Sequence, residues 1–145
     1  MAVEKVFFSL GSNLGDRNSH ILEALSRMDD AFGVHWSALS SIIETPSWGF
    51  QGQDFLNCAV LYEIDSDPFS VLSQIKAIER EMGRSGEPEY APDGGRIYKD
   101  RPIDIDIIFY GERTVDTPDL KIPHPLAAER DFVMRPLSEI RSPEP

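Results

Sequence analysis

The spacing of apolar and polar positions changes several times along the chain, and each change marks a predicted element. Val6-Phe7-Phe8-Ser9-Leu10 reads as a strand, and Gly11-Ser12-Asn13-Leu14-Gly15-Asp16 ends it with turn formers. From about Asn18 to Phe32 the period becomes helical. Ile21, Leu25, Met28 and Phe32 form one apolar stripe there, and Gly33 supplies the stop. Residues 34 to 44 alternate and carry β-branched residues, which predicts a strand, and the proline and glycines of 45 to 53 predict a loop. Phe55 to Ile64 reads as a further strand. Asp65-Ser66-Asp67-Pro68 then places a capping acid and a proline at the start of a second helix, whose apolar face is Val71, Leu72, Ile75, Ile78 and Met82, with Gly83 near its end.

Ser85 to Asp100 holds three glycines and two prolines. A loop of that length inside a compact domain usually serves a function, so it is expected to form a lid over a site. Pro102 to Tyr110 is the clearest strand. Leu120 to Leu126 follows after a short connection, and Ala127 to Ile140 is expected to be a last amphipathic helix. The order strand, helix, strand, strand, helix, strand matches an α+β, ferredoxin-like βαββαβ core. That fold has an antiparallel sheet with helices on one face, here with additional C-terminal helical segments. Residues 1–141 are expected to form one domain and 142–145 a frayed tail.

Composition narrows the function classes. The 145 residues suit one core. Twenty-five acidic against fourteen basic residues give a formal charge of -11, which argues against a nucleic-acid binder, since such a protein needs basic surface to displace counterions. Cys58 lies in an apolar run and reads as a buried small hydrophobe. No segment approaches the ~20 apolar residues of a membrane span, and the first apolar stretch is too short for a signal peptide. A cytoplasmic enzyme or binding domain, acting as a monomer, is the expectation. If the ligand is a polyphosphate, so acidic a chain must gather its few arginines around it or neutralise it with metal.

The strand Ile103-Asp104-Ile105-Asp106-Ile107 offers such a metal site. Alternation puts Asp104 and Asp106 on one face, their Cα atoms about 6.6 Å apart, where two carboxylates can hold one hard cation or bracket two. On spacing alone, the acidic outer face of a half-exposed strand is the better explanation. Arg101, immediately before the strand, adds a guanidinium able to grip phosphate. Arg84, Arg96, His124 and Arg130 sit at ends of elements, where convergence is possible, though each alone is an ordinary surface charge. Trp48, Phe50, Phe55 and Phe132 are candidates to stack on a flat ligand, with core packing an equal reading for Phe55 and Phe132. Asn57 is an amide inside an apolar strand and needs hydrogen-bond partners, either backbone and water or the edge of a heterocycle. Gly11-Ser12-Asn13-Leu14-Gly15 lacks both the Walker lysine and the dinucleotide glycine spacing. There is no nucleophile elbow and no cysteine-histidine zinc set.

Taken in order, these segments resemble the 6-hydroxymethyl-7,8-dihydropterin pyrophosphokinases of folate biosynthesis. The matching pieces are Leu10-Gly-Ser-Asn-Leu14, Glu44-Thr-Pro46, Asp54-Phe-Leu-Asn-Cys-Ala-Val60, Ile78-Glu79 with Gly83-Arg84, Asp100-Arg-Pro-Ile-Asp-Ile-Asp-Ile107, Ile122-Pro-His-Pro125 and Arg130-Asp-Phe-Val-Met-Arg-Pro-Leu137. The resemblance implies a ferredoxin-like α+β fold. It also implies transfer of the β,γ-pyrophosphoryl group of ATP to the hydroxymethyl oxygen of 6-hydroxymethyl-7,8-dihydropterin, releasing AMP. Asp104 and Asp106 would bind two magnesium ions (Mg2+) and, with Arg101, form the catalytic set. Glu79, Arg84, Arg101, Ile107, His124 and Arg130 would bind ATP. Thr45, Pro46, Trp48, Phe55, Asn57 and Phe132 would form the pterin pocket, with the rings of Phe55 and Phe132 sandwiching the heterocycle.

The chain departs from the family's pattern in three places. Gly86 stands where many members carry a second arginine, Tyr98-Lys99-Asp100-Arg101 replaces a Trp-Gly-Pro-Arg run, and the chain stops soon after Pro136-Leu137. Family roles therefore do not pass to Arg96, Tyr98 and Lys99. Two other classes remain open on the residues: a nucleotidyl transferase using the same metal pair, which would release pyrophosphate, and a regulatory binding module indifferent to magnesium.

Overall fold

The computed structural model describes residues 3–45, 54–83 and 102–141 in full, and 89–90 and 96–97 as backbone. Strand β1 (Glu4–Ser12) leads into helix α1 (Arg17–Phe32). Short strands β2 (Ala38–Leu39) and β3 (Ile43–Thr45), strand β4 (Phe55–Ile64) and helix α2 (Pro68–Glu81) follow. Next come β5 (Glu89–Tyr90), β6 (Arg96–Ile97), β7 (Asp104–Tyr110), β8 (Val115–Asp116) and β9 (Lys121–Ile122). A 3-10 turn (Ala127–Glu129) precedes helix α3 (Asp131–Ile140).

The main sheet runs β2-β4-β1-β7, with β3 also paired to β4, and every pairing in it is antiparallel. That is the expected ferredoxin-like order, with the first strand inside and the last strand at one edge. β1 holds the centre with ladders to both β4 and β7, and its Val6, Phe8 and Leu10 are fully buried. The side chain of Asp16 caps α1 by accepting from the Ser19 N–H at 3.1 Å, and Gly33, at φ 72°, closes the helix in the left-handed region that glycine tolerates. Asp67 caps α2 in the same way, accepting from the N–H groups of Phe69 and Ser70, with Pro68 in the first turn.

The apolar stripes of α1 and α2 cover one face of the sheet. Ile21, Leu25, Met28, Val71, Ile75 and Ile78 share a core there with Phe8, Val60, Tyr62, Ile105 and Ile107. Phe32 stacks on Phe8 with ring centroids 5.7 Å apart and meets Tyr62 edge-on. On the opposite face α3 packs over Ala59 and Ile108 through Val133 and Leu137. A bulge makes this second core possible. Phe7 pairs with Phe109 while Phe8 pairs with Ile107, so Ile108 is an extra residue and both Ile108 and Phe109 reach the α3 side. Cys58 is fully buried and its thiol is pushed up to about 12 by burial, as an inert core group should be.

Several boundaries differ from the sequence reading. β1 does not stop at Leu10 but continues through Gly11 and Ser12, because both have ladder partners in β4 and Gly11 also has one in β7. The strand expected over 34 to 44 is two short ones, β2 and β3, either side of residues 40 to 42. At the break, the Ser40 hydroxyl accepts from the Ala59 N–H and takes over a ladder bond. The single helix expected from Ala127 is divided at Arg130, whose backbone is extended at φ -118° and ψ 107°. Within the long segment 85 to 100, β5 and β6 pair as a small antiparallel ladder. The rest of that segment, the loop 46 to 53 and the tail 142–145 lie outside the described residues. Among the described residues no helix is long and apolar enough to cross a membrane.

Candidate functional site

The face of the sheet opposite α1 and α2 is only partly covered by α3, and the polar residues of the site gather on the remainder. Register defines its layout. Gly11 faces Asn57 across one ladder and Asp104 across the other, while Ser9 faces Ala59 and Asp106. Asn57, Gly11 and Asp104 thus form one row, and Ala59, Ser9 and Asp106 the next. With strands about 4.8 Å apart, the Cα atoms of Asn57 and Asp104 stand about 10 Å apart on one surface.

Ile103, Ile105 and Ile107 are buried on the helix side, which turns Asp104 and Asp106 to the other face as the alternation predicts. Both are half-buried. Burial, then the neighbouring carboxylates of Asp104 and Glu79, push the Asp106 carboxyl up to about 7, while Arg130 and Lys76 pull the other way. The pair is therefore charge-loaded in the protein alone, which fits a site for a divalent cation. Among the described residues no group of three metal-ligating side chains forms. A cation held here would complete its shell with phosphate oxygens and water, as magnesium commonly does.

Glu79 comes from α2 and is 2% exposed. Its Oε2 accepts from the Ile105 N–H at 2.8 Å, holding the edge strand between the two aspartates. Lys76, one helical turn earlier, has its Nζ 3.7 Å from Glu79 Oε1. Lys76 was not among the residues singled out from sequence, although its three-residue spacing from Glu79 was a usable signal.

On the other flank, the His124 N–H donates to the Ile108 carbonyl at 3.1 Å, which fixes the segment alongside β7. Its Nδ1 accepts from the Leu126 N–H at 3.2 Å, so the neutral ring carries its proton on Nε2. Burial and the nearby Arg130 push the His124 pKa down, and Asp104 partly offsets them. Arg130, at the start of α3, stands 5.5 Å from the centroid of the Phe132 ring. Asp104 and Arg130 thus both act on Asp106 and on His124 through their charges.

Around Asn57 the structure assembles the other half of the site. Asn57 is 3% exposed and its Nδ2 donates to Thr45 Oγ1 at 2.7 Å. An amide so held still has a second hydrogen and a carbonyl oxygen to present to a heterocycle. Phe55 pairs with Thr45 at the end of the β3–β4 ladder, and Phe132 packs half-buried against the α3-side core. Gly11 floors this half. A Cβ there would lie 2.9 Å from Asn57 Oδ1 and 3.4 Å from the Phe55 ring, so a side chain would displace both. Gly11 escaped the sequence reading because its spacing fits no phosphate motif; its role lies in close approach across the ladder.

Ile107 is not brought to this surface. Its side chain is 5% exposed and belongs to the core on the helix side. Pro46, Trp48, Arg84 and Arg101 lie outside the described residues.

The comparisons with known proteins agree with one another. A family profile described as 7,8-dihydro-6-hydroxymethylpterin-pyrophosphokinase matches residues 7–142. A Porphyromonas gingivalis protein named 2-amino-4-hydroxy-6-hydroxymethyldihydropteridine pyrophosphokinase is 42% identical over 137 residues, covering 93% of this chain and 89% of its own. An Aquifex aeolicus protein of the same name is 37% identical over 136 residues, covering 93% of this chain and 79% of its own. A Pisum sativum protein named folate synthesis bifunctional protein, mitochondrial, is 39% identical over 94% of this chain, which spans 25% of that longer protein.

Proposed function

Because the chain belongs to the 7,8-dihydro-6-hydroxymethylpterin-pyrophosphokinase family, we propose that it transfers the β,γ-pyrophosphoryl group of ATP to the hydroxymethyl oxygen of 6-hydroxymethyl-7,8-dihydropterin, giving the pterin diphosphate and AMP in folate biosynthesis. One observation supports this most strongly: Asn57, Gly11 and Asp104 form one row across the sheet and Asp106 lies in the next, so a buried amide and an acidic pair share one face.

Asn57, held by Thr45, reads the polar edge of the pterin, and the rings of Phe55 and Phe132 enclose it. The hydroxymethyl group is then directed across β1 toward Asp104 and Asp106. These two carboxylates would hold the two magnesium ions, whose chemistry there would be to neutralise the triphosphate and polarise the transferring group. Arg130 and His124 Nε2–H add positive and donor groups on the phosphate flank. By their places in the family's pattern, Arg84 and Arg101 serve the same phosphates, and Pro46 and Trp48 complete the pterin pocket. Glu79 acts on the nucleotide side through the Ile105 N–H it fixes, and by its place in the family's pattern Ile107 packs near the adenine.

Chemically, the pterin oxygen bonds to the β-phosphorus, and the bond from that phosphorus to the α–β bridging oxygen breaks. The pterin proton passes to solvent and AMP departs with the bridging oxygen. The chain contributes alignment and charge compensation, which is the larger part of phosphoryl-transfer catalysis. The test is product analysis with ATP, magnesium and the pterin alcohol: AMP formation strictly dependent on the pterin and magnesium is expected, whereas pyrophosphate release would make the chain a nucleotidyl transferase.

A further inference from the structure

Arg17, the first residue of α1, is not among the residues assigned to either substrate, yet it spans three elements. Its Nη1 donates to Glu44 Oε2 at 2.7 Å and to the Asp54 carbonyl at 2.6 Å. Glu44 precedes Thr45 in β3 and Asp54 precedes Phe55 in β4, and Thr45 pairs with Phe55. One guanidinium nitrogen therefore ties both sides of the β3–β4 pair at the end where Thr45 meets Phe55.

Alternation shows from which side it does so. Glu44 pairs with Leu56, which packs on the α1 and α2 side, while Ile43 pairs with Asn57 and Thr45 with Phe55 on the opposite face. Arg17 thus braces from beneath the strand pair whose upper face carries Thr45, Phe55 and Asn57. The brace is anchored, since α1 is capped by Asp16 and buries Ile21, Ala24, Leu25 and Met28. β3 has only three residues and pairs with β4 alone; Ser41 just before it is tied to Glu139 of α3, and Arg17 holds the other end. The ion pair itself is solvent-exposed on the Glu44 side at 55%, so its contribution to global stability is small.

We propose that Arg17 is a positioning residue for the pterin half of the site: it holds the Thr45–Asn57 contact and the Phe55 ring in the geometry that accepts the heterocycle. This rests on the pyrophosphokinase reading above. Arg17→Ala should raise the pterin KM roughly tenfold while changing kcat and the ATP KM less than about twofold. Because both bonds come from one nitrogen and not from a bidentate fork, Arg17→Lys should recover most of the pterin affinity.

The experiment is steady-state kinetics of the wild type, Arg17→Ala, Arg17→Lys and Glu44→Ala, each checked for a native melting transition, with both substrates varied. A selective rise in pterin KM for Arg17→Ala, a smaller one for Glu44→Ala and recovery in Arg17→Lys would bear the proposal out. An unchanged pterin KM, or equal losses for ATP and pterin, would overturn it; should Arg17→Ala not fold, Glu44→Ala and Arg17→Lys decide by the same criteria. Wild-type protein that forms no AMP would instead sink the activity on which the proposal rests.

Discussion

Replacing Asp106 by asparagine should make the metal-free protein more stable and inactive at once. Asp106 has its carboxyl pushed from 3.8 up to about 7 by burial and by Asp104 and Glu79. A shift of about three units at 1.36 kcal/mol each sets a ceiling near 4 kcal/mol, and water at a half-buried carboxyl screens roughly half of it. About 2 kcal/mol remains, or about 6 °C in melting temperature for a chain of this size. The sign follows from the raised folded-state pKa: between about 4 and 7 the folded protein holds a proton that the unfolded chain has released, so stability is present at low pH and is lost as pH rises through 7. Asp106→Asn removes that loss.

Thermal melts in a chelator from pH 4 to 8.5 should show the variant about 6 °C above the wild type at pH 8, with the gap closing towards pH 4. Magnesium with a non-hydrolysable ATP analogue should raise the wild-type melting temperature more than the variant's, and AMP formation should be lost. Equal melting at pH 8, or a gap indifferent to pH, would refute the idea that burial and neighbouring carboxylates oppose the charge on Asp106 before a metal binds.

Gly11→Ala should raise the pterin KM at least about fivefold with little effect on ATP, and in an Asn57→Ala background its added cost should largely vanish, because the new Cβ acts by displacing Asn57. Asn57→Ala alone should weaken pterin binding more than ATP binding, read by titration of each ligand separately. Glu79→Ala leaves the Ile105 N–H without its acceptor and should cost about 1–3 kcal/mol in denaturant unfolding, with a loss of turnover from the loosened aspartate strand. Tyr62→Phe removes the hydroxyl that donates to Asp29 Oδ1 at 2.6 Å and should cost about 1 kcal/mol without changing either KM.

What was legible in the sequence was whatever follows from local period and composition. The isoleucines of β7 are buried and the aspartates turned away because a strand alternates, and the α1 and α2 stripes pack where their spacing put them. Asn57 was conspicuous because an amide in an apolar run needs partners, and Thr45 is one. What escaped depended on neighbours distant in sequence. Gly11 resembled a turn former, and only its two ladders make it a strand residue. Arg17 gave no local hint of Glu44 and Asp54, which lie 27 and 37 residues away. The break at Arg130 interrupts an apolar period that would serve one helix equally well, and it frees that guanidinium to lie beside Phe132.

The central claim is that a pyrophosphoryl group passes intact from ATP to the pterin on the face shared by Asn57, Asp104 and Asp106. The most direct test is a single-turnover reaction with ATP radiolabelled at either the α- or the γ-phosphate, with magnesium and the pterin alcohol. The γ-label should appear wholly in the pterin diphosphate and the α-label wholly in AMP. An α-label on the pterin, or a γ-label released as inorganic pyrophosphate, would contradict the account.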